Sequence, residues 1–420
     1  MTLSIRTDRQ LVRAQSRSNR YVLVSFTAPA APRRENRIPV NVAFVLDRSG
    51  SMSGENKFNL AREAVQQSLR MLNPGDRFSV VVYDDRIDVL ARSANASSSA
   101  IRDAVDALSR IVPRGSTDLC AGWMRGCEQV AEFVDNERVS RVLLLTDGLA
   151  NHGITHRPEI VRHSAELRQR GVSTTTFGVG EDFDERLLRD MAHEGGGNFY
   201  FLENARQIPD LITSELGEAL EVVMPRAVIE MEIPRGGDAE VLNQFRSSIG
   251  DNMLRVELGD VVSSQEVDVV VRFNFDRGEI GQRVSTRAYL SSGDATAVRS
   301  DEIEWTYASH IDNDRQSRDR EVDRRVAELY AARARADATE ANRHGDFAAA
   351  RHAIEATVAR IREYAANDPA LNRIWMELER ERPRYDEVVM SAMETKRAYY
   401  QADMGMKGRV ADGKARRSPR

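Results

Sequence analysis

At 420 residues the chain is long enough for two or three domains, each with its own hydrophobic core. Apolar residues make up 41% of it, charged residues 30%, and the formal net charge is −5. So small an imbalance over this length excludes a global field directed at nucleic acid or at a membrane surface.

The positive charge is almost all arginine, with lysine only at Lys57, Lys396, Lys407 and Lys414. The two cysteines, Cys120 and Cys127, lie in a predicted helix. Their spacing puts them on one face but roughly 10 Å apart along the axis, too far for a disulfide. Two cysteines also cannot build a structural zinc site alone. The first residues, Met1-Thr2-Leu3-Ser4-Ile5-Arg6, have no apolar signal core, and no apolar run approaches the roughly 20 residues that span a bilayer. The expected setting is a reducing cytoplasm, away from membranes.

In chain order, residues 3–30 alternate at Leu3, Ile5, Tyr21, Leu23 and Ser25 and predict two strands with a polar turn at 15–19. Pro29, Pro32 and the charged run 33–37 form a linker. From Ile38 strands alternate with helices. Strands are expected at Val40–Leu46, Asp76–Tyr83, Val139–Thr146, Val172–Val179 and Asn198–Leu202, with Ile87–Leu90 a short antiparallel neighbour. Helices are expected at Phe58–Leu72, Ser98–Val112, Asp118–Val134, Pro158–Arg170, Asp184–His193 and Ile208–Val223. This alternation predicts a mostly parallel sheet covered on both faces.

Residues 224–308 alternate again at Val228–Ile233, Met253–Leu258 and Val267–Phe275, with turns at Gly236-Gly237, Gly250-Asp251 and Ser292-Gly293-Asp294. They predict an antiparallel β-sandwich. The N-terminal strands have no other home, so the α/β domain is expected to be inserted into that sandwich. After 310 the chain turns helical. Val322, Val326, Leu329 and Tyr330 share one stripe, and Phe347, Ala350, Ile354, Val358 and Ile361 another. Two further helices, Asp368–Arg382 and Tyr385–Tyr400, are separated by Pro383, and the small, basic tail from Met406 is expected to be disordered. The expected division is 1–37 sandwich strands and linker, 38–223 α/β domain, 224–310 sandwich, 311–400 helical hairpin or bundle, and 401–420 tail.

The chemistry concentrates where the apolar run Val40–Leu46 ends in Asp47-Arg48-Ser49-Gly50-Ser51. A buried strand ending in a carboxylate and turning through glycine presents oxygens at its C-terminal tip, where open α/β sheets bind ligands. Hydroxyl and carboxylate oxygens without nearby His or Cys suit a hard cation such as Mg²⁺. Two later segments extend the set, Gly115-Ser116-Thr117-Asp118-Leu119 before a predicted helix and Leu145-Thr146-Asp147-Gly148 at a strand end.

Asp-x-Ser-x-Ser, then Thr, then Asp, resembles the metal-ion-dependent adhesion site of von Willebrand factor type A domains, and the resemblance covers roughly residues 38–222. It implies a Rossmann-like fold. It implies that Ser49 and Ser51 coordinate a divalent ion directly, and that Thr117 joins them in the ligand-competent state. Asp47 and Asp147 act through bound waters or as charge balance. Mg²⁺ is the expected ion, and Mn²⁺ or Ca²⁺ accept the same oxygens. An Asp or Glu of a protein partner completes the shell, so a metal-dependent binding or scaffold protein is implied and not an enzyme. The architecture resembles intracellular, bacterial-type proteins of this family and the core of inter-α-trypsin inhibitor heavy chains. The alternative is an adaptor subunit working with an AAA+ ATPase in complex remodelling or metal insertion.

Other features are weaker. Arg48 is expected to be a solvated loop arginine, with a role in holding an acidic partner as the second option. His152, His156 and His163 follow the Asp147 strand, and solvated positions are favoured over a zinc site. Glu194-Gly195-Gly196-Gly197-Asn198 precedes a strand, lacks a phosphate-cradling context and reads as a turn. Gly345-Asp346-Phe347 resembles the turn of a tetratricopeptide-like hairpin, with a plain helical hairpin favoured. No Walker-type lysine motif, nucleophile elbow or nucleophile–His pair is evident. The Arg/Glu balance of 315–400 reads as a solvated surface, and the helical segment offers an oligomer seam.

Overall fold

The computed structural model describes residues 1–31, 37–135, 137–293 and 297–417. Most of the expected linker, residues 32–36, and Asp294 of the expected turn lie outside the described residues. The chain forms two compact units, Ala31–Val223 and a second made of Met1–Ala30 with Met224–Arg420.

The second unit begins with β1 (Ser4–Thr7), β2 (Leu11–Arg13) and β3 (Ser18–Thr27), three strands where two were expected. The chain then builds the α/β unit. Its strands are β4 (Val40–Asp47), β5 (Arg77–Tyr83), β6 (Ile87–Asn95), β7 (Val139–Thr146), β8 (Ser173–Val179) and β9 (Gly196–Leu202). Its helices are α1 (Lys57–Leu69), α2 (Ser98–Ser109), α3 (Leu119–Ala131), α4 (Arg157–Gln169), α5 (Glu185–Glu194) and α6 (Ile208–Ala219). The sheet order is β6-β5-β4-β7-β8-β9, parallel except for the antiparallel edge strand β6.

Every residue of β4 and β7 is buried, as the unbroken apolar runs of a doubly covered parallel sheet require. Because β4 pairs with β5 on one side and β7 on the other, the order in which strands join the sheet reverses at the β4–β7 crevice. Ligands of open α/β sheets bind outside the strand ends at such a point. One buried polar cluster in this core is centred on Glu215. Arg141 of β7 donates to Glu215 of α6 at 2.7 Å, and Glu215 also accepts from Thr175, Asn198 and Tyr200. The glycine-rich stretch read as a turn instead opens β9. A Cβ at Gly197 would lie 2.3 Å from the Thr174 carbonyl oxygen, so glycine is what lets β9 approach β8.

The remaining strands are β10 (Val222–Glu232), β11 (Gly237–Val241), β12 (Arg246–Gly250), β13 (Met253–Val262), β14 (Glu266–Phe275), β15 (Arg283–Ser292) and β16 (Val298–Ala308). They form two sheets, β1-β3-β14-β11 and β12-β13-β10-β15-β16-β2. β3 runs antiparallel to β14 over ten residue pairs, and β2 runs parallel to β16. Strands from both ends of the chain thus share each sheet, and the α/β unit is an insertion between them.

Helices α7 (His310–Arg315), α8 (Arg320–Arg343), α9 (Phe347–Ala365), α10 (Pro369–Glu381), α11 (Pro383–Asp386) and α12 (Ala392–Lys407) follow. Val322, Val326 and Leu329 of α8 pack on Leu23 of β3, Val270 of β14 and Leu242, which follows β11. Ala327, Ala338, Ile354, Ile361 and Leu378 form a separate core between helices. The expected stripes therefore face different layers. The expectation of a disordered tail is corrected. α12 continues to Lys407, the Glu266 N–H donates to the Arg416 carbonyl at 2.9 Å, and Arg417 bridges Gln265. Backbone pairing orders a segment whose composition is polar. Among the described residues, no helix is long and apolar enough to cross a membrane.

Candidate metal centre

Asp47 ends β4 with its side chain wholly buried. Its Oδ1 accepts from the Ser49 N–H at 2.7 Å and its Oδ2 from the Thr146 hydroxyl at 2.6 Å. Burial pushes the Asp47 carboxyl up to about 6, against the hydrogen bonds that favour its charged form, and Asp147 adds to the rise. A divalent cation beside it would oppose that shift.

The turn after Asp47 brings two hydroxyls together, with Ser49 Oγ 3.1 Å from Ser51 Oγ. Ser51 donates to Asp147 Oδ1 at 2.6 Å, across the β4–β7 crevice. The Gly50 N–H donates to the Gly115 carbonyl at 3.2 Å and so ties this turn to the loop carrying Thr117. That loop ends at Asp118, which caps α3 by accepting from the Ala121 N–H. A Cβ placed on Gly148 would lie 3.6 Å from Thr117 Oγ1 and 4.0 Å from Ser51 Oγ. The two hydroxyls therefore flank the residue after Asp147.

All five expected positions, Asp47, Ser49, Ser51, Thr117 and Asp147, come together at the C-terminal edge of the sheet. Three hydroxyls and two carboxylates make an all-oxygen donor set, which fits a hard cation. Among the described residues, no group of three or more His, Cys, Asp or Glu is placed to hold a metal, so hydroxyls would have to supply much of any coordination.

Three participants were missed in the sequence. Thr146 orients Asp47, and Asn151 accepts from the Thr117 N–H at 3.0 Å. Lys57, the first residue of α1, donates to Asp147 Oδ2 at 2.8 Å. A lone lysine just after Asp-x-Ser-x-Ser, in an arginine-rich chain, was the available signal.

Arg48 requires a correction. It is buried, not solvated, and does not face outward toward a partner. Its guanidinium pairs with Asp84 at 3.2 Å and Asp88 at 2.6 Å, while its carbonyl accepts from the Arg114 N–H at 2.8 Å. Arg114 in turn donates to Asp84 at 2.8 Å. Arg48 thus fastens the β4 tip to the β5–β6 turn and to the loop before α3.

The histidines stay apart, His152 at 3.2 Å from Asp118 and His163 beside Glu159 and Glu166 on α4. Cys120 and Cys127 are buried free thiols, and burial raises both above the usual thiol range.

Residues 41–214 match the von Willebrand factor type A domain family. This unit is a von Willebrand factor type A domain. The chain is 25% identical over 291 residues to an uncharacterised Escherichia coli protein, YfbK, covering 66% of this chain and 49% of that one. It is 31% identical over 282 residues to a Sus scrofa inter-α-trypsin inhibitor heavy chain H1, covering 62% of this chain and 30% of that one. The matches therefore span half or less of these two relatives. The solved structure of a von Willebrand factor type A protein from Catenulispora acidiphila superposes with a TM-score of 0.71 at 16% identity, covering 99% of this chain and 97% of that one. The same fold thus extends beyond the von Willebrand A domain to the sandwich and helices.

Proposed function

We propose that the chain is a metal-dependent binding protein that captures an acidic residue of a protein partner. The observation that carries this is the convergence of Asp47, Ser49, Ser51, Thr117 and Asp147 on one crevice. In this role these residues hold Mg²⁺, or Mn²⁺ or Ca²⁺ in its place. The bound ion supplies a Lewis-acidic point to which a partner's carboxylate attaches.

The surroundings support docking. The loops carrying Thr117 and Asp147 also expose Val112, Leu149 and Ile154 to solvent, at 67%, 54% and 40%. Exposed apolar side chains on the loops that carry an anchoring charge fit the anatomy of a protein interface. In this reading the site binds its partner and does not turn it over. The proposed setting is the cytoplasm, where Cys120 and Cys127 remain thiols.

Affinity purification in Mg²⁺ with the wild-type chain and with Asp47→Ala tests this. A partner retained by wild type, and lost both with Asp47→Ala and on adding EDTA, is the expected result. Capture that neither change affects overturns it.

A further inference from the structure

We propose that Lys57 is the built-in counter-cation of the site. It occupies Asp147 when no metal is bound, and when a divalent ion binds it leaves the loaded site with net positive charge, which selects an anionic partner group. This rests on the metal-binding role proposed above.

The placement of Lys57 is specific. Only four lysines occur in the chain, and the other three lie beyond residue 395. The two residues before it, Glu55 and Asn56, adopt left-handed backbone at φ 49° and 60°, which side-chain-bearing residues adopt at a cost. That kink sets the first turn of α1, and Lys57 stands at its start. Its ammonium meets Asp147 Oδ2 at 2.8 Å, with the lysine side chain 13% exposed and the aspartate 0%. Gly180 (φ 78°), just after β8, lies beside the ammonium, a Cβ there falling 3.9 Å from Nζ. Asp147 is thereby engaged on both oxygens, by Ser51 on one and Lys57 on the other.

Charge counting gives the consequence. With Asp47 and Asp147 ionised, Lys57 brings the site to −1, and a divalent ion brings it to +1. Without Lys57 the loaded site is neutral. The ammonium therefore weakens the grip on the metal through like-charge repulsion and by holding Asp147 Oδ2. It also leaves a loaded site whose residual charge an incoming carboxylate neutralises. A neutral oxygen ligand gains nothing from that charge, so metal and anionic group should bind cooperatively.

Mn²⁺ titration of the full chain, followed by electron paramagnetic resonance with and without acetate as carboxylate probe, tests this. Lys57→Met and Lys57→Gln, the second keeping a donor for Asp147, are both expected to bind Mn²⁺ about tenfold tighter than wild type, the direction Coulomb repulsion dictates. Acetate is expected to tighten Mn²⁺ binding in wild type and to have less effect in both variants. Saturable wild-type binding that is unchanged in both variants overturns the role of Lys57. Absence of any saturable binding that Asp47→Ala removes overturns the metal site itself, so the two failures are told apart.

Discussion

Asn151 holds Thr117 at both ends of the residue. The Thr117 N–H donates to Asn151 Oδ1 at 3.0 Å, and the Asn151 N–H donates to the Thr117 carbonyl at 3.3 Å. The loop after β7 and the loop before α3 therefore move together, and the Thr117 hydroxyl is placed by a side chain on the Asp147 loop. Asn151→Ala leaves a buried N–H unpaired, which costs about 1–2 kcal/mol. Urea unfolding should show that loss, and Mn²⁺ affinity should fall severalfold. Asn151→Asp keeps the acceptor and should restore much of the stability. Equal losses in both variants contradict the role given to that hydrogen bond.

The Arg48–Asp84–Arg114 knot makes an acid-side prediction. Burial opposes ionisation of Asp84, yet hydrogen bonds from Arg114, the Arg86 N–H and Arg48 outweigh it and hold the carboxyl below its usual range. A carboxyl depressed in this way lends stability that is fully present above its unfolded value, about 3.9, and is lost as pH falls through the lower folded value. The stability gap between wild type and Asp84→Asn should be widest near neutral pH and close below about pH 4. A gap that stays constant down to about pH 3 means that the carboxylate's charge is not what the knot uses.

The exposed apolar side chains beside the site make a prediction about binding alone. Leu149 and Ile154 are 54% and 40% exposed, so charging them disturbs little packing. Leu149→Asp and Ile154→Asp should each leave the stability within about 0.5 kcal/mol of wild type while reducing capture of the partner found with Asp47 intact. Unchanged capture by both variants places the partner elsewhere on the domain.

Which of these relationships could be read from the sequence follows from their range along the chain. β4 and β7 were legible because continuous apolar runs have one use in a doubly covered sheet. The turn from Asp47 to Ser51 was legible because five consecutive residues carry it. Lys57 and Asp147 meet across 90 positions, and Arg48 and Asp84 across 36, with no local pattern to announce either pair. β2 has three residues and exists because β16, nearly 300 positions away, offers it an edge. The ordering of 408–417 rests on main-chain hydrogen bonds within the segment, back to α12 and, at its end, to Glu266, to which composition is blind. Periodicity sees side chains on one element, whereas these features belong to the fit between elements.

The closest fit lies under α3. A Cβ at Gly122 would fall 2.3 Å from Tyr83 Cγ, and one at Gly126 would fall 2.2 Å from Val45 Cγ2. Both glycines are buried in the helix that follows Thr117, so they set how near that helix lies to β4 and β5. Alanine is worth about 1 kcal/mol over glycine within a helix, whereas overpacking a core costs about 1–3 kcal/mol. At Gly122 the obstacle is the body of the Tyr83 ring, fully buried with its hydroxyl toward the Leu145 carbonyl, so Gly122→Ala should be clearly destabilising. At Gly126 the obstacle is one methyl group. Val45→Ala removes it, and the methyl that Gly126→Ala adds then occupies part of the space. The double variant Gly126→Ala, Val45→Ala should therefore be more stable than the sum of the single losses, by about 1 kcal/mol or more in a double-mutant cycle. Additive losses would mean that α3 shifts away from β4 instead of meeting Val45, and Thr117, at the head of that helix, would shift with it.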